Sequence, residues 1–129
     1  MKISTILGTV LKIALIGQFG YFGVSKVIGT AEMVTTFNAF GFPSWFMVVT
    51  GLIELTAVLL LITSFFNRKA VYAGAFLLAG LTVGATLCHA FLEGSISNAM
   101  IPLFVFVQNG LMVWLHKRNA ETQPIVTPA

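Results

Sequence analysis

The chain has 129 residues, 57% of them hydrophobic and only 9% charged, with a net charge of +3. Soluble domains carry about 25% charged residues, so this composition excludes an ordinary soluble fold. The basic residues are scattered singly or in pairs, which excludes the clustered patch of a nucleic-acid-binding protein.

Four apolar segments read as membrane spans: Thr5–Val24, Trp45–Ile62, Ala70–Phe91 and Ala99–Leu115. Each approaches the ~20 residues needed to cross a hydrocarbon core about 30 Å thick, and the fourth is shortest. Only helices or closed barrels satisfy backbone polar groups in lipid, and these runs lack the alternation of barrel strands. The expected fold is therefore an all-α membrane protein. It is a four-transmembrane-helix bundle with a short amphipathic helix between helices 1 and 2. Residues 1–118 form the transmembrane domain, and 119–129 are expected as a disordered cytoplasmic tail.

The first span opens after Lys2, a weak signal-peptide start, but Lys12 interrupts its apolar run and no A-x-A site follows. A retained helix is expected. Its end, near Ser25-Lys26, leads into a long connection with organisation of its own. Thr30 can cap a short helix over Ala31–Phe40, with Glu32 near the positive dipole end. Met33, Val34, Phe37 and Phe40 recur at helical spacing, and Gly41 followed by Pro43 closes the element. This helix either lies on the outer membrane surface or covers the bundle mouth.

Ser44 is expected to cap the second span, with Trp45 at headgroup level. Asn67-Arg68-Lys69 is a tight turn. In the third span Gly80, Gly84 and Cys88 are four apart and form a small-residue stripe, suited to packing within the chain or to a dimer seam. Tyr72 and Trp114 suit the opposite interface. Cys88 is the sole cysteine, so neither an intramolecular disulfide nor a C-x-x-C dithiol exists.

Lys2, Lys12, Arg68, Lys69, Lys117 and Arg118 fall on one side of a four-span chain. The other side holds Lys26, Glu32 and Glu93. The positive-inside rule then places both termini in the cytoplasm.

Glu54 is the candidate functional residue. It lies about 15 Å below the outer boundary by the ~1.5 Å helical rise, near the midplane of an otherwise apolar run. An intramembrane carboxylate usually faces a partner, a cavity or a pathway, since its burial costs roughly 3 kcal/mol or more. It can carry a proton, bind a ligand head group or pin helix 2 to its neighbours. Burial and a neighbouring ammonium act oppositely on a carboxyl group, so its protonation state stays open. Gln108 and Asn109 come out at a similar depth, with Lys12 slightly lower. Lys26, His89 and Glu93 group at the outer mouth.

His89 can handle protons or accept a ligand hydrogen bond, or it can be an interfacial polar residue. Lys12 is expected to snorkel to the cytoplasmic surface. Gln108 is a ligand-binding candidate or interhelical glue. No Cys/His cluster exists, so no metal site is expected.

The stretches Gly20-Tyr-Phe-Gly-Val-Ser-Lys26, Phe37-Asn-Ala-Phe-Gly-Phe-Pro43, Gly51-Leu-Ile-Glu54 and Gly84-Ala-Thr-Leu-Cys-His89 resemble the DoxX-like family of small four-helix membrane proteins. Lys12 matches a basic residue early in that family's first helix. The resemblance covers nearly all of the chain except the tail. It implies a bacterial inner (cell) membrane location and association with redox systems. One relative is a subunit of a thiosulfate:quinone oxidoreductase, and others accompany oxidative-stress or amine-oxidising systems. Distant animal relatives resemble receptor-assembly chaperones, so the fold alone does not set the function. The family pattern points to Lys26, Gly51, Glu54 and His89.

Three readings follow. The first is an accessory subunit of a membrane redox system that binds a quinone or other apolar ligand near Glu54, with a redox protein partner supplying electrons. The second is a non-enzymatic assembly or scaffold protein, acting through a partner or a homo-oligomer. The third is a small proton-coupled exporter. Small multidrug transporters place their carboxylate in the first helix, where this chain has Lys12 and no acid. Whether the protein is an enzyme, and which ligand it takes, the sequence leaves open.

Overall fold

The computed structural model describes residues 2–122, with side chains through residue 120. Its elements are α1 (Ile3–Ile28), α2 (Ala31–Phe40), α3 (Ser44–Thr63), α4 (Ala70–Leu87), a π-helical turn (Cys88–Leu92) and α5 (Ile96–Thr122). There is no strand among the described residues. Four helices are long and apolar enough to cross a membrane: Ile3–Ile28, Ser44–Thr63, Ala70–Leu92 and Ile96–Ala120. Large apolar side chains cover the outer surface, among them Val10, Ile13, Leu59, Phe76, Phe104 and Val107. Water would not tolerate such a continuous apolar surface, whereas lipid requires it. The protein is a multi-pass membrane protein.

The spans form a ring in which α1 packs on α3 and α5, and α4 packs on α3 and α5. Leu15, Phe19, Ala57, Leu61, Val71, Leu78 and Met112 fill its centre. Two close approaches set the ring. A Cβ on Gly51 of α3 would lie 2.8 Å from the Gly23 carbonyl oxygen of α1. A Cβ on Gly74 of α4 would lie 3.1 Å from the Ala57 carbonyl oxygen. Small residues at such crossings let backbones touch, which is how helices associate where lipid removes the hydrophobic drive.

The start of α1 and the last turns of α5 lie at one pole of the bundle, called here the terminal pole. There Ser4 Oγ donates to Asn119 Oδ1 at 2.9 Å and Asn119 Nδ2 donates to the Ser4 carbonyl at 3.2 Å. The tail was expected to begin at Asn119, but α5 continues to Thr122; residues 123–129 of that expected tail lie outside the described residues.

The opposite pole carries α2. Gly29, at φ 73°, ends α1, and Thr30 Oγ1 accepts from the Met33 amide. Gly41, at φ 83°, ends α2, where the Phe42 amide reaches back to the Phe37 carbonyl. Both turns need the left-handed region that glycine enters without steric cost. The expected helix therefore forms with its expected cap. It folds over the bundle mouth, burying Met33 and Phe37 against Met47 of α3.

Ser44 departs from expectation. Pro43 holds the cap position with no side-chain bond, and Ser44 is already the first helical residue. The fixed φ of proline starts the helix one residue early, so the Ser44 hydroxyl is not placed to cap it. The small-residue stripe also differs. Nothing lies within 4 Å of a Cβ built on Gly80 or Gly84, so neither mediates packing within the chain.

Candidate functional site

Glu54 sits on α3 one turn beyond Gly51, where the glycine crossing draws α1 close. Lys26, one turn beyond Gly23 on α1, forms an ion pair and hydrogen bond with Glu54 Oε1. The Lys26 Cβ lies where a Gly51 side chain would be, so the glycine makes room for the lysine stem. Glu54 is 3% exposed, and its second oxygen, Oε2, has no hydrogen-bond partner among the described residues. A buried carboxylate oxygen without a donor is expensive and calls for an explanation.

Three further buried oxygens share this condition: Gln18 Oε1 on α1, and Gln108 Oε1 and Asn109 Oδ1 on α5. Gly8 lies against Leu115, which sets the antiparallel register of α1 and α5. Counting from it at ~1.5 Å per residue places Gln18 and Gln108 within ~5 Å in depth. Gly23 against Gly51 gives the α1–α3 register and puts Glu54 about one turn or less from Gln18. Glu54 Oε2, Gln18 Oε1 and Gln108 Oε1 thus form a band of similar depth near the middle of their spans. Gln18 was not among the sequence candidates, although a glutamine inside an apolar run was a signal of the same kind as Gln108.

Asn109, at the same depth, turns to α4, and its Oδ1 is likewise without a donor. Its Nδ2 donates to the Ala75 carbonyl of α4 at 3.0 Å, tying two spans together. Such a bond is interhelical glue.

His89 lies in the π-helical turn, where the Glu93 amide bonds to the Cys88 carbonyl five residues back. One extra residue in that turn re-aims the side chains, a device frequent at functional positions. His89 Nδ1 is 3.2 Å from Glu93 Oε2, and Asn98 Nδ2 donates to Glu93 Oε1. The expected outer-mouth trio therefore separates: Lys26 turns inward to Glu54, while His89 and Glu93 pair with each other. Aromatic rings bridge the gap. Lys26 Nζ lies 5.8 Å from the Phe37 ring centre, Phe37 is 5.8 Å from Phe40, and Phe40 meets His89 edge-on at 4.9 Å. Helix α2 thus roofs the ion pair and touches the histidine at once.

Lys12 differs most from expectation. It is 7% exposed and does not reach the surface; its ammonium lies 4.5 Å from the centre of the Phe65 ring. Packing of α1 between α3 and α5 turns it inward, towards the terminal pole and away from Glu54.

Comparison with known proteins agrees with this architecture. A protein of Bacillus subtilis (strain 168) designated YdgD, itself uncharacterised, is 30% identical over 69 residues. That match covers 54% of this chain and 60% of YdgD, so the chain matches less than two thirds of the relative's length. No solved structure matches. The model of the DoxX-like family matches residues 10–112, which run from α1 through Lys26, Glu54, His89 and Gln108 into α5. Four apolar spans, the roofing helix and this match together establish that the chain belongs to the DoxX-like family.

Proposed function

We propose that the protein is an accessory subunit of a membrane redox system that holds a quinone-class ligand beside Glu54. The observation that carries this reading is the Glu54 carboxylate: one oxygen rests on Lys26 and the other lacks a donor in the middle of the bundle. With Gln18 Oε1 and Gln108 Oε1 it makes three acceptors in want of donors. A molecule with an apolar body and hydroxyl groups can donate to them, and the reduced, quinol form offers two such hydroxyls, enough for two of the three. Bound there, the group would supply two-electron, two-proton redox chemistry. The chain's own part is to bind and orient it: Glu54 accepts from a hydroxyl and Lys26 holds the carboxylate in place. The Phe37–Phe40 roof excludes water, with His89 and Glu93 as titratable groups at its rim. A redox protein partner would exchange the electrons.

The same proposal places the chain in the bacterial inner (cell) membrane with both termini cytoplasmic. Supporting it, Lys2, Lys12, Arg68, Lys69, Lys117 and Arg118 belong to the terminal pole, whereas the α2 pole carries Lys26 with Glu32 and Glu93.

One observation favours a second reading, a non-enzymatic assembly or scaffold protein. Lys26 and Glu54 pair with each other, as do His89 and Glu93, which is what helix-pinning contacts do.

Mass spectrometry of small molecules retained after mild detergent extraction from the native membrane separates the two. A quinone or quinol retained stoichiometrically by wild type and lost from Glu54→Gln supports the ligand reading. An empty bundle with a co-purifying membrane protein supports the scaffold.

A further inference from the structure

The terminal pole, remote from Glu54, contains a cavity of about 190 Å³ bordered by Thr9, Lys12, Ser64, Phe65, Arg68 and His116. That is roughly six times the ~30 Å³ a water molecule occupies in the liquid, enough for a tetrahedral anion and some water. Three of the bordering side chains are basic, and no acidic side chain borders it among the described residues.

Two observations point to an anion as the group this cavity suits. Lys12 is 93% buried (7% exposed), and its ammonium has no carboxylate partner among the described residues; the face of Phe65 is its recorded contact. A buried ammonium without a counter-charge is costly, and a ring face compensates only a small part. His116 Nε2 is buried with no hydrogen-bond partner. That nitrogen donates both in the charged ring and in the Nε2–H tautomer. The Arg68 guanidinium approaches the same wall, donating Nη2 to the His116 carbonyl at 3.3 Å.

We infer that this cavity binds a phosphate-bearing anion, with Lys12 and His116 as its principal donors. Lys12 supplies the charge, His116 Nε2 a directed hydrogen bond, and the Thr9 hydroxyl a further polar contact. The phosphate can belong to a lipid headgroup or be free in solution. Phe65 favours the lipid: it lines the cavity and is also half exposed, which sets an apolar ring beside the polar lining. Basic pockets between spans are a recurrent headgroup-binding arrangement. This site does not depend on the ligand proposed at Glu54.

The test uses the full chain purified in dodecyl maltoside. Native mass spectrometry counts adducts and thermal unfolding measures stabilisation. The probes are palmitoyl-oleoyl phosphatidylglycerol, diacylglycerol with the same chains, and inorganic phosphate. The expected result is one phosphatidylglycerol per wild-type chain and no diacylglycerol adduct. Binding should weaken about tenfold in Lys12→Gln and in His116→Gln, and stay within twofold of wild type in Lys117→Gln, an exposed charge outside the cavity. His116→Gln carries the test if Lys12→Gln does not fold. Stabilisation by phosphatidylglycerol alone assigns a lipid headgroup. Stabilisation by inorganic phosphate as well, in competition with the lipid, assigns a site open to free phosphate. Equal binding by wild type and both cavity variants, an equal loss in Lys117→Gln, or retention of diacylglycerol overturns the inference.

Discussion

Gly23 and Gly51 face each other across the α1–α3 crossing so closely that a Cβ on Gly51 would meet the Gly23 carbonyl oxygen and the Lys26 Cβ, each at 2.8 Å. The Lys26–Glu54 pair begins one turn beyond this contact on each helix, so backbone proximity and ion pairing form one unit.

Gly51→Ala is therefore expected to push the two helices apart. Two of the atoms it would strike are backbone or Cβ and cannot rotate away, and overpacking of this kind costs about 1–3 kcal/mol. Gly80→Ala, where nothing lies within 4 Å, should leave the thermal midpoint in detergent nearly unchanged. Equal midpoints for the two variants would contradict the crossing.

The buried pair predicts strong non-additivity. Lys26→Met strands the Glu54 carboxylate and should cost about 3–5 kcal/mol, the usual consequence of removing one partner of a buried ion pair. Adding Glu54→Leu should restore most of that loss, because an apolar pair of similar volume needs no compensation. A double-mutant cycle in detergent unfolding measures the coupling. Simple addition of the two single effects would argue against mutual dependence.

Helix α2 is held over the mouth chiefly by its aromatic contacts. Phe37 is buried against Met33 and Met47 and lies near Phe40, Phe42 and Phe46. Phe37→Ala should raise amide hydrogen exchange across Ala31–Phe40 by tenfold or more while exchange in α3 and α4 stays close to wild type. Short elements with few buried contacts open locally, independently of the bundle. Unchanged exchange in α2 would show that other contacts hold it.

Asn109→Leu tests the link between α4 and α5. The bond to the Ala75 carbonyl is lost, but a buried unpartnered Oδ1 goes with it. Interhelical side-chain bonds in membrane proteins average about 0.6 kcal/mol and reach about 1.7 kcal/mol. The expected loss in unfolding free energy is below ~1 kcal/mol. A loss several times larger would mean that Oδ1 has a partner of its own.

Features that depend on neighbouring residues alone were legible in the sequence. The four spans follow from the length of apolar runs; the structure lengthens the second and third by no more than a residue at either end and the first and fourth by a turn or so. The α2 helix was readable from Thr30, the spacing of Met33, Val34 and Phe37, and Gly41, because capping and left-handed turns are local events. Depth was readable as well, since helical rise is constant, and it put Glu54 and Gln108 in one band.

Only the tertiary structure decided which way each side chain faces around its helix axis. In a soluble helix the polar stripe reveals that rotation, but lipid and protein core are equally apolar and the stripe disappears. Hence Lys12 proved to turn inward to Phe65, Lys26 to reach down to Glu54, and His89 to pair with Glu93 beneath Phe40. Gly51 and Gly74, and not Gly80 or Gly84, proved to be where backbones touch. The composition determined that this chain lives in lipid, and the packing of its helices determined which of its few polar groups meet.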